Sequence, residues 1–366
     1  MSVQATVPVG NTGYERTERD RESYQRFVAA ARSYWVNEMF TGLRRQVAAD
    51  IPVDGAAGAG RADFEARVKE HPTHQIFAWF ERHLQRMRYS GPHGLVAGVE
   101  ARRDSLLRSI ERPLPEGLLQ LDPALDPPDY YTAWDIHQHP GGLNTDMLAA
   151  FVYRDAIRAG VVGRSALHER FVSQVATRCM PERVLDLGCG FGRSSYAFAA
   201  ALPEARVHGI DLSASCVTVA AHEAPESLQP RVRFSQANAL SSQLQAGSFD
   251  LVTSTMLLHE MPEDAVRALI VETGRLLSPG GVVAHLDFLP PADPLMQLIY
   301  AGHARRNNEP YLLDHSRIDL ASAYKAAGFG SVEVINFAED DRALADPPSS
   351  WRLPWKIILA VKEELP

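Results

Sequence analysis

The stretch that decides the fold is Asp186-Leu187-Gly188-Cys189-Gly190-Phe191-Gly192. It follows an apolar run at 183–187 and precedes SSYAFAAAL at 194–202, which has the composition of a helix. Glycine lacks a Cβ atom, so it permits a tight turn and the close approach of a ligand, while the free N–H groups of a helix start attract a polar or anionic group. The stretch predicts a strand–turn–helix unit that binds a ligand.

An acidic residue supports a nucleoside as that ligand. Asp211 ends the next strand-like run, 21 residues after Gly190. At this spacing a carboxylate accepts hydrogen bonds from a ribose diol. A Gly-x-Gly turn alone often only packs a helix on a sheet, so the combination of strand, helix and spaced acid favours the binding function.

Around the turn the periodicity alternates between helix and strand. Five short strands are expected at 183–190, 205–213, 231–239, 248–255 and 280–288, with helix-like segments between them. This alternation predicts an α/β fold, a Rossmann-like parallel sheet with helices on both faces. Helices at 165–177, 294–306 and 316–327 and two further strands, SVEVINF and WKIILAVKE, complete the C-terminal part.

The N-terminal part has helical periodicity. One apolar face is formed by Phe27, Val28, Ala31, Tyr34, Trp35 and Met39. After a small-residue linker at 56–60 and a break at Pro72, a second face is formed by Ile76, Phe77, Phe80, Leu84 and Met87, and a third helix is expected over 96–110. We expect the first face to be buried. Five prolines within 113–128 then predict an extended connection.

These patterns divide the chain into three parts. They are a flexible tail at 1–20, a mainly helical accessory domain at 21–163 and a ligand-binding catalytic domain at 164–366 with a substrate insertion near 290–316. The helical region is interpreted as a cap over the substrate, as a homodimer surface, or as core packing alone.

Composition excludes several classes of protein. The 366 residues are 45% hydrophobic and 22% charged, and no run approaches the length of a membrane span. The net charge of −8 argues against nucleic acid and anionic membranes as partners. Three cysteines and a polar start without a signal-peptide pattern favour a reducing cytoplasm.

The residue before the glycine turn distinguishes between a dinucleotide and another nucleoside as the ligand. Asp186 would repel a pyrophosphate but suits a ligand that carries an ammonium and a sulfonium, and the turn lacks the G-x-G-x-x-G spacing of dinucleotide folds. A nicotinamide-dependent oxidoreductase is therefore disfavoured. The motifs VLDLGCGFG, GIDLS, SFDLVTSTMLLHEMPED and GRLLSPGGVVAHLD, in this order, resemble the class I S-adenosylmethionine (SAM)-dependent methyltransferase family. The resemblance covers residues 164–290 well and the C-terminal strands more loosely.

The resemblance implies a SAM site at named positions. Gly188, Cys189 and Gly190 would line the methionine moiety, and Asp186 would hold its amino group directly or through water. Asp211 would bind the ribose hydroxyls. The other positions implied to contact the cofactor are Leu212, Asn238 and Ala239 at the adenine and Thr255 and Met256 at the sulfonium. Asn238 stands where the family usually has an acid, and its amide oxygen can still accept a hydrogen bond.

Two residues are candidates for catalysis. His259 follows the fourth strand at the edge where such sheets place ligands, and it would act as a general base toward a hydroxyl or ammonium acceptor, or else cap the following helix. Asp287 ends the fifth strand and would contact the acceptor or cap a loop. A carboxylate acceptor would need only positioning.

Residues 130–142 form a second candidate region. Tyr130, Tyr131, Trp134, His137 and His139 would line a lid over cofactor and substrate, with an inter-domain turn and a metal site as alternatives. No fourth metal ligand is identifiable, so no metal is predicted. His303, Arg305 and Arg306 would bind an acceptor carboxylate or form a solvated helix face.

The sequence thus predicts a methyltransferase acting on an oxygen or nitrogen of a small molecule, such as a secondary metabolite, with S-adenosylhomocysteine as the product. Two alternatives use the same cofactor: an enzyme that cyclises the aminobutyrate part, and a non-catalytic assembly protein that binds SAM.

Overall fold

One mixed sheet organises the structure, a computed structural model that describes residues 18–51, 60–160, 166–314, 317–340 and 348–363. Within these residues its eight strands are β1 (Leu119–Gln120), β2 (Arg183–Leu187), β3 (Arg206–Asp211), β4 (Val232–Gln236), β5 (Phe249–Thr255), β6 (Leu277–Phe288), β7 (Phe329–Asn336) and β8 (Trp355–Lys362). Their order is β1-β4-β3-β2-β5-β6-β8-β7. Among these strands β8 pairs antiparallel with both β6 and β7, and all the other neighbouring pairs are parallel. The predicted Rossmann-like sheet is confirmed.

Helices form the N-terminal region and flank the sheet. They are α1 (Glu18–Tyr34), α2 (Phe40–Asp50), α3 (Arg61–Glu70), α4 (Pro72–Tyr89), α5 (Leu95–Glu100), α6 (Arg103–Ser109), α7 (Asp129–Thr132), α8 (Ala149–Ala159), α9 (Leu167–Ala176), α10 (Arg193–Ala201), α11 (Ala214–Glu223), α12 (Glu263–Leu276), α13 (Pro294–Arg306) and α14 (Leu320–Ala326). None of the described helices is both long and apolar enough to cross a bilayer.

The strand register brings the carboxyl ends of four strands to one edge of the sheet. Leu187 of β2 pairs with Ile210 of β3 and with Ser254 of β5. Thr255 of β5 pairs with Leu286 of β6. Because these strands are parallel, the loops that follow β2, β3, β5 and β6 all emerge at this carboxyl edge, where open α/β sheets bind ligands.

The N-terminal helices share a core with the sheet. A π-helical turn at Trp35–Met39 joins α1 to α2. Phe40 then packs against Trp351, with ring centroids 6.1 Å apart, and the Trp351 N–H donates to the Val36 carbonyl over 2.7 Å. Because Trp351 lies just before β8, the helical region contacts the sheet domain both through the packing of Phe40 and through the backbone hydrogen bond of Val36.

The prediction of one fully buried face on the first helix was wrong. Phe27 and Tyr34 are 59% and 58% exposed, whereas Val28 and Trp35 are 2% and 3% exposed. Residues seven apart share a stripe on a helix, and here only the stripe of Val28 and Trp35 faces the core. The π-helical turn then changes which side of the helix faces the core, so that Phe40 is the next buried residue after Trp35.

Several other expectations changed, or fall partly or wholly outside the described residues. The proline-rich connection contains β1, which pairs with β4 in parallel and so extends the sheet. The predicted third helix is divided into α5 and α6. Of the predicted tail at 1–20, residues 18–20 begin α1 and the rest lies outside the described residues. The linker residues 56–59, the division at 163/164, Ser165 and Ser316 also lie outside them.

The shared core makes a stability prediction. Phe40→Ala should lower the free energy of unfolding by about 3–5 kcal/mol, because a fully buried ring is lost and a cavity is left. Phe27→Ala, the matched change on the exposed stripe, should alter it by no more than about 0.5 kcal/mol. Urea denaturation followed by circular dichroism measures both, and equal losses would contradict the assignment of the core stripe.

Candidate active site

The glycine turn after β2 adopts a backbone that ordinary residues avoid. Gly188 and Gly190 have φ of +63° and +52°. A Cβ atom on Gly188 would lie 2.8 Å from Cδ1 of Leu257, which is in the loop after β5. The missing side chain therefore allows two loops of the carboxyl edge to touch.

Asp211 at the end of β3 holds that turn in place. One carboxylate oxygen accepts the Gly190 N–H over 2.9 Å and the other accepts the Ser213 N–H over 2.8 Å. Burial raises the pKa of Asp211, and the two backbone hydrogen bonds oppose that rise. The carboxylate thus joins the loops after β2 and β3, and it remains half-buried at the edge.

Asp186 lies beneath the same turn and is fully buried. Its Oδ2 accepts the hydroxyl hydrogens of Ser194 and Ser195 at 2.5 and 2.6 Å, in the first turn of α10. Its Oδ1 is buried without a hydrogen-bond partner. Burial raises the pKa of Asp186 to about 6, although both serine hydrogen bonds lower it.

The residues predicted at the adenine lie along the edge beyond Asp211. Leu212, Asn238 and Ala239 are all half-buried. The Asn238 amide oxygen accepts the Leu240 N–H over 2.9 Å, which fixes the orientation of this side chain. Cys189 is buried against Gly209 of β3, so its side chain packs below the turn. Burial raises the pKa of the Cys189 thiol well above its ordinary value.

The chain leaves β5 through a sharp bend. Met256 has φ of +60°, and its N–H donates to the Leu286 carbonyl over 2.9 Å. The preceding Thr255 is buried, and its hydroxyl has no hydrogen-bond partner. This bend directs the next residues, including His259, across the carboxyl edge.

The structure brings His259 and Asp287 together. Nδ1 of His259 lies 2.7 Å from Oδ1 of Asp287, and its Nε2 lies 3.3 Å from Oε1 of Glu260. Oδ2 of Asp287 accepts the N–H groups of Leu257 and Leu258 at 3.0 and 2.7 Å. Both side chains are buried, so they also fix the bend after β5.

Residues 129–148, here called the cover segment, lie across this edge. Ser213 donates its hydroxyl to the Leu143 carbonyl over 2.8 Å. Burial raises the pKa of Tyr131 well above its ordinary value, and the nearby Asp211 adds to the rise. At the other end of the edge, Nε2 of His137 lies 3.1 Å from Oε1 of Glu260. The cover segment thus contacts the loops after β3 and β5.

The other residues predicted to line a lid, Tyr130, Trp134 and His139, have three different environments. Tyr130 contacts Tyr311 edge-on at 6.1 Å, and Trp134 is 45% exposed. His139 is buried and stacks on Tyr89 at 5.2 Å, so it does not face the same group as His137. The described residues contain no group of three or more His, Cys, Asp or Glu side chains suited to a metal ion.

A chain of buried ion pairs continues from His137 into the helical region. Nδ1 of His137 lies 2.9 Å from Oε1 of Glu309, which lies 3.5 Å from Nε2 of His303. Nδ1 of His303 lies 2.6 Å from Oε1 of Glu81 on α4, and Arg306 binds the other Glu81 oxygen.

This chain corrects the expectation for the cationic cluster. His303 and Arg306 are mostly buried against Glu81, and of the three residues Arg305 alone is classed as exposed. The acidic partners Glu81, Glu260 and Glu309 were not singled out in the sequence. Each is one acid among 45, and each has a partner more than 100 residues away along the chain: His303 for Glu81, and His137 for Glu260 and Glu309.

Comparison with known proteins shows the family. A family model described as a methyltransferase domain matches residues 184–281. A ubiquinone biosynthesis O-methyltransferase from Aromatoleum aromaticum is 41% identical over 168 residues, which cover 43% of this chain and 68% of that protein. The chain belongs to the class I SAM-dependent methyltransferase family.

Two further relatives of this chain extend the comparison. The O-methyltransferase cnsE of Penicillium expansum is 29% identical over 236 residues, 60% of this chain and 80% of that protein. The uncharacterized methyltransferase YcgJ of Bacillus subtilis is 31% identical over 144 residues, which are 39% of this chain. The match spans 54% of the length of YcgJ, which is about half of that protein. The YcgJ crystal structure superposes with a TM-score of 0.42 and 23% identity, covering 54% of this chain and all of that one.

The buried carboxylate of Asp186 makes a pH-dependent prediction. Its pKa is raised from 3.8 to about 6 on folding, so stability is lost as the pH rises through this range. Asp186→Asn should therefore raise the free energy of unfolding at pH 7, and the gain should shrink by about 1.4 kcal/mol between pH 7 and pH 5. Urea denaturation at both pH values measures the gain, and a gain that grows toward pH 5 would contradict the prediction.

Proposed function

We propose that this chain is a SAM-dependent methyltransferase that methylates an oxygen or nitrogen atom of a small-molecule acceptor. The observation that carries the proposal is the contact of Asp211 with the N–H of Gly190. It places a half-buried carboxylate beside an open glycine backbone at the carboxyl edge of the sheet. A ribose diol and an adjoining polar group can bind such a pair.

The residues of the edge fit this cofactor. Each oxygen of Asp211 accepts one backbone N–H and keeps capacity for a ribose hydroxyl. The unpaired Oδ1 of Asp186 can accept an ammonium hydrogen bond directly or through water. Gly188, Cys189 and Gly190 would line the methionine moiety. The remaining proposed contacts are Leu212, Asn238 and Ala239 at the adenine and Thr255 and Met256 near the sulfonium.

Bound SAM would supply a methyl carbon on a sulfonium, which an acceptor oxygen or nitrogen would take as the acceptor loses a proton and sulfur keeps the electron pair of the S–CH3 bond. This chain needs no covalent intermediate. Its contribution is to hold the acceptor in line, and orientation can lower the barrier by several kcal/mol. His259 and Asp287, at the ends of adjacent strands, are proposed to lie on the acceptor side of the cofactor.

A small-molecule acceptor is supported by the cover segment and by charge. Tyr130, Tyr131 and Trp134 of the cover segment are proposed to enclose the acceptor, because their segment crosses the edge at Asp211 and at Glu260. The net charge of −8 disfavours a nucleic acid acceptor. Two of the relatives above are O-methyltransferases by name, which favours oxygen as the methylated atom.

A homodimer through the helical region and a cytoplasmic location stay predictions. The apolar side chains available for such an interface on α1 and α4 are Phe27, Tyr34, Ile76 and Trp79, each more than half exposed.

Methyl-labelled SAM tests the proposed function. Incubation with fractionated metabolites should give a labelled small molecule and S-adenosylhomocysteine, identified by mass spectrometry. Asp211→Asn should abolish labelling, because the amide keeps one acceptor oxygen and turns its NH2 toward the N–H of either Gly190 or Ser213. Asp250→Asn is the matched control, since Asp250 accepts the Glu182 and Arg183 N–H groups at the opposite edge. Methylthioadenosine as product, or label in DNA, RNA or protein, would contradict the proposal.

A further inference from the structure

His259 has no ring nitrogen free to receive a proton. Nδ1 faces Asp287 at 2.7 Å and Nε2 faces Glu260 at 3.3 Å, with the residue 2% exposed. An ionised carboxylate beside each ring nitrogen favours the doubly protonated ring, because a carboxylate only accepts hydrogen bonds and attracts a cation. Burial lowers the pKa of His259, but the two carboxylates outweigh it and raise the pKa to about 10. The imidazole is therefore a fixed cation at neutral pH.

Glu260 has the free acceptor atom that His259 lacks. Its Oε1 is shared by His259 at 3.3 Å and His137 at 3.1 Å, while its Oε2 is buried without a hydrogen-bond partner. A buried carboxylate oxygen without a donor is costly, and a ligand that donates a hydrogen bond removes that cost.

Glu260 also lies on the cofactor side of the edge. It is three residues after Leu257, whose side chain sits against Gly188. Tyr153 of α8 lies beside Gly190, since a Cβ there would be 3.6 Å from Cε1 of Tyr153. Burial raises the pKa of the Tyr153 hydroxyl, and both Glu260 and Asp211 add to the rise. Tyr153 thus connects the environment of Glu260 with that of the ribose-binding residue.

The cover segment holds Glu260 through a strained residue. His137 has φ of +58°, which is unusual for a residue with a side chain. Its carbonyl accepts the Gln85 side-chain N–H over 2.8 Å, and its ring lies between Glu260 and the buried Glu309. Contacts on both the backbone and the ring therefore maintain a conformation that would otherwise relax.

We propose that Glu260 is a catalytic residue whose Oε2 binds the hydroxyl or amine of the acceptor, and that His137 and Glu309 are positioning residues for it. This inference rests on the proposed function. As the S–CH3 bond breaks with its electron pair on sulfur and the O–CH3 or N–CH3 bond forms, the acceptor proton moves to Glu260 Oε2. The acceptor O–H becomes strongly acidic as this bond forms, so a carboxylate is basic enough to receive the proton.

The assignment narrows the class of acceptor. Oε2 of an ionised carboxylate requires a donor, so a phenol, alcohol or neutral amine fits, and an acceptor that presents a carboxylate is repelled. The catalytic role predicted for His259 thereby passes to Glu260, and His259 becomes a cation that orients it.

Glu260→Gln tests the catalytic role with Glu263→Gln as the matched control, because Glu263 is 45% exposed and pairs with Arg267. With the acceptor identified by labelling, Glu260→Gln should lower kcat about 100-fold or more and leave the Kd for SAM, measured by calorimetry, within about threefold. A kcat within threefold of the wild type would overturn the assignment. If the wild-type protein does not bind SAM, that result would instead contradict the proposed function.

The pH profile tests the positioning role. Glu260 is faced by His259 beside it, His137 of the cover segment and Tyr153 of α8, with Asp287 behind His259 and Glu309 behind His137. Burial raises the pKa of Glu260, but the His137 and His259 cations lower it below its ordinary value. Since ionised Glu260 is the active form, His137→Gln should shift the acidic limb of kcat/KM to higher pH. An unmoved limb would overturn the positioning role.

A third measurement needs no acceptor. In the 15N NMR spectrum of the histidine rings, with His259 assigned by its loss in His259→Gln, both ring nitrogens should carry protons at pH 8. An unprotonated Nε2 would restore His259 as the base and overturn the proposal.

Discussion

The carboxylate of Asp211 is the interaction on which the rest of the site depends. It accepts one N–H from the loop after β2 and one from the loop after β3, so two crossover connections meet at a single side chain. Gly188 in turn lets the loop after β5 approach the loop after β2, because a side chain at Gly188 would collide with Leu257. The open backbone beside Asp211 is therefore a consequence of how three strand ends are joined.

A second constraint joins this edge to the helical region. Four carboxylates alternate with three imidazoles and one guanidinium, in the order Asp287, His259, Glu260, His137, Glu309, His303, Glu81 and Arg306. With the histidines protonated the series is neutral overall. Buried ion pairs are weak sources of stability because desolvation offsets their attraction. Their value here lies in orientation, since they fix the cover segment over the loops that carry Met256 and Glu260.

Local patterns predicted the turn, the five parallel strands and the position of Asp211, because each depends on residues close together in the sequence. Exposure of Phe27 depended on which helix stripe meets α4, and a helical pattern does not contain that information. β1 has two residues between prolines, too few for any periodicity. The partnership of Glu81, Glu260 and Glu309 is set by tertiary packing, as Glu81 and His303 are 222 residues apart. Only the folded chain shows that His259 has both nitrogens engaged.

The central claim is that the glycine turn, Asp211 and the cover segment form one cofactor site. Hydrogen–deuterium exchange with and without S-adenosylhomocysteine tests this single site most directly, because ligand binding suppresses local opening and slows the exchange of the amides around the ligand. The account predicts slower exchange at residues 186–195 and 211–216 and also across 129–148. Protection confined to the first two segments, with 129–148 unchanged, would contradict it.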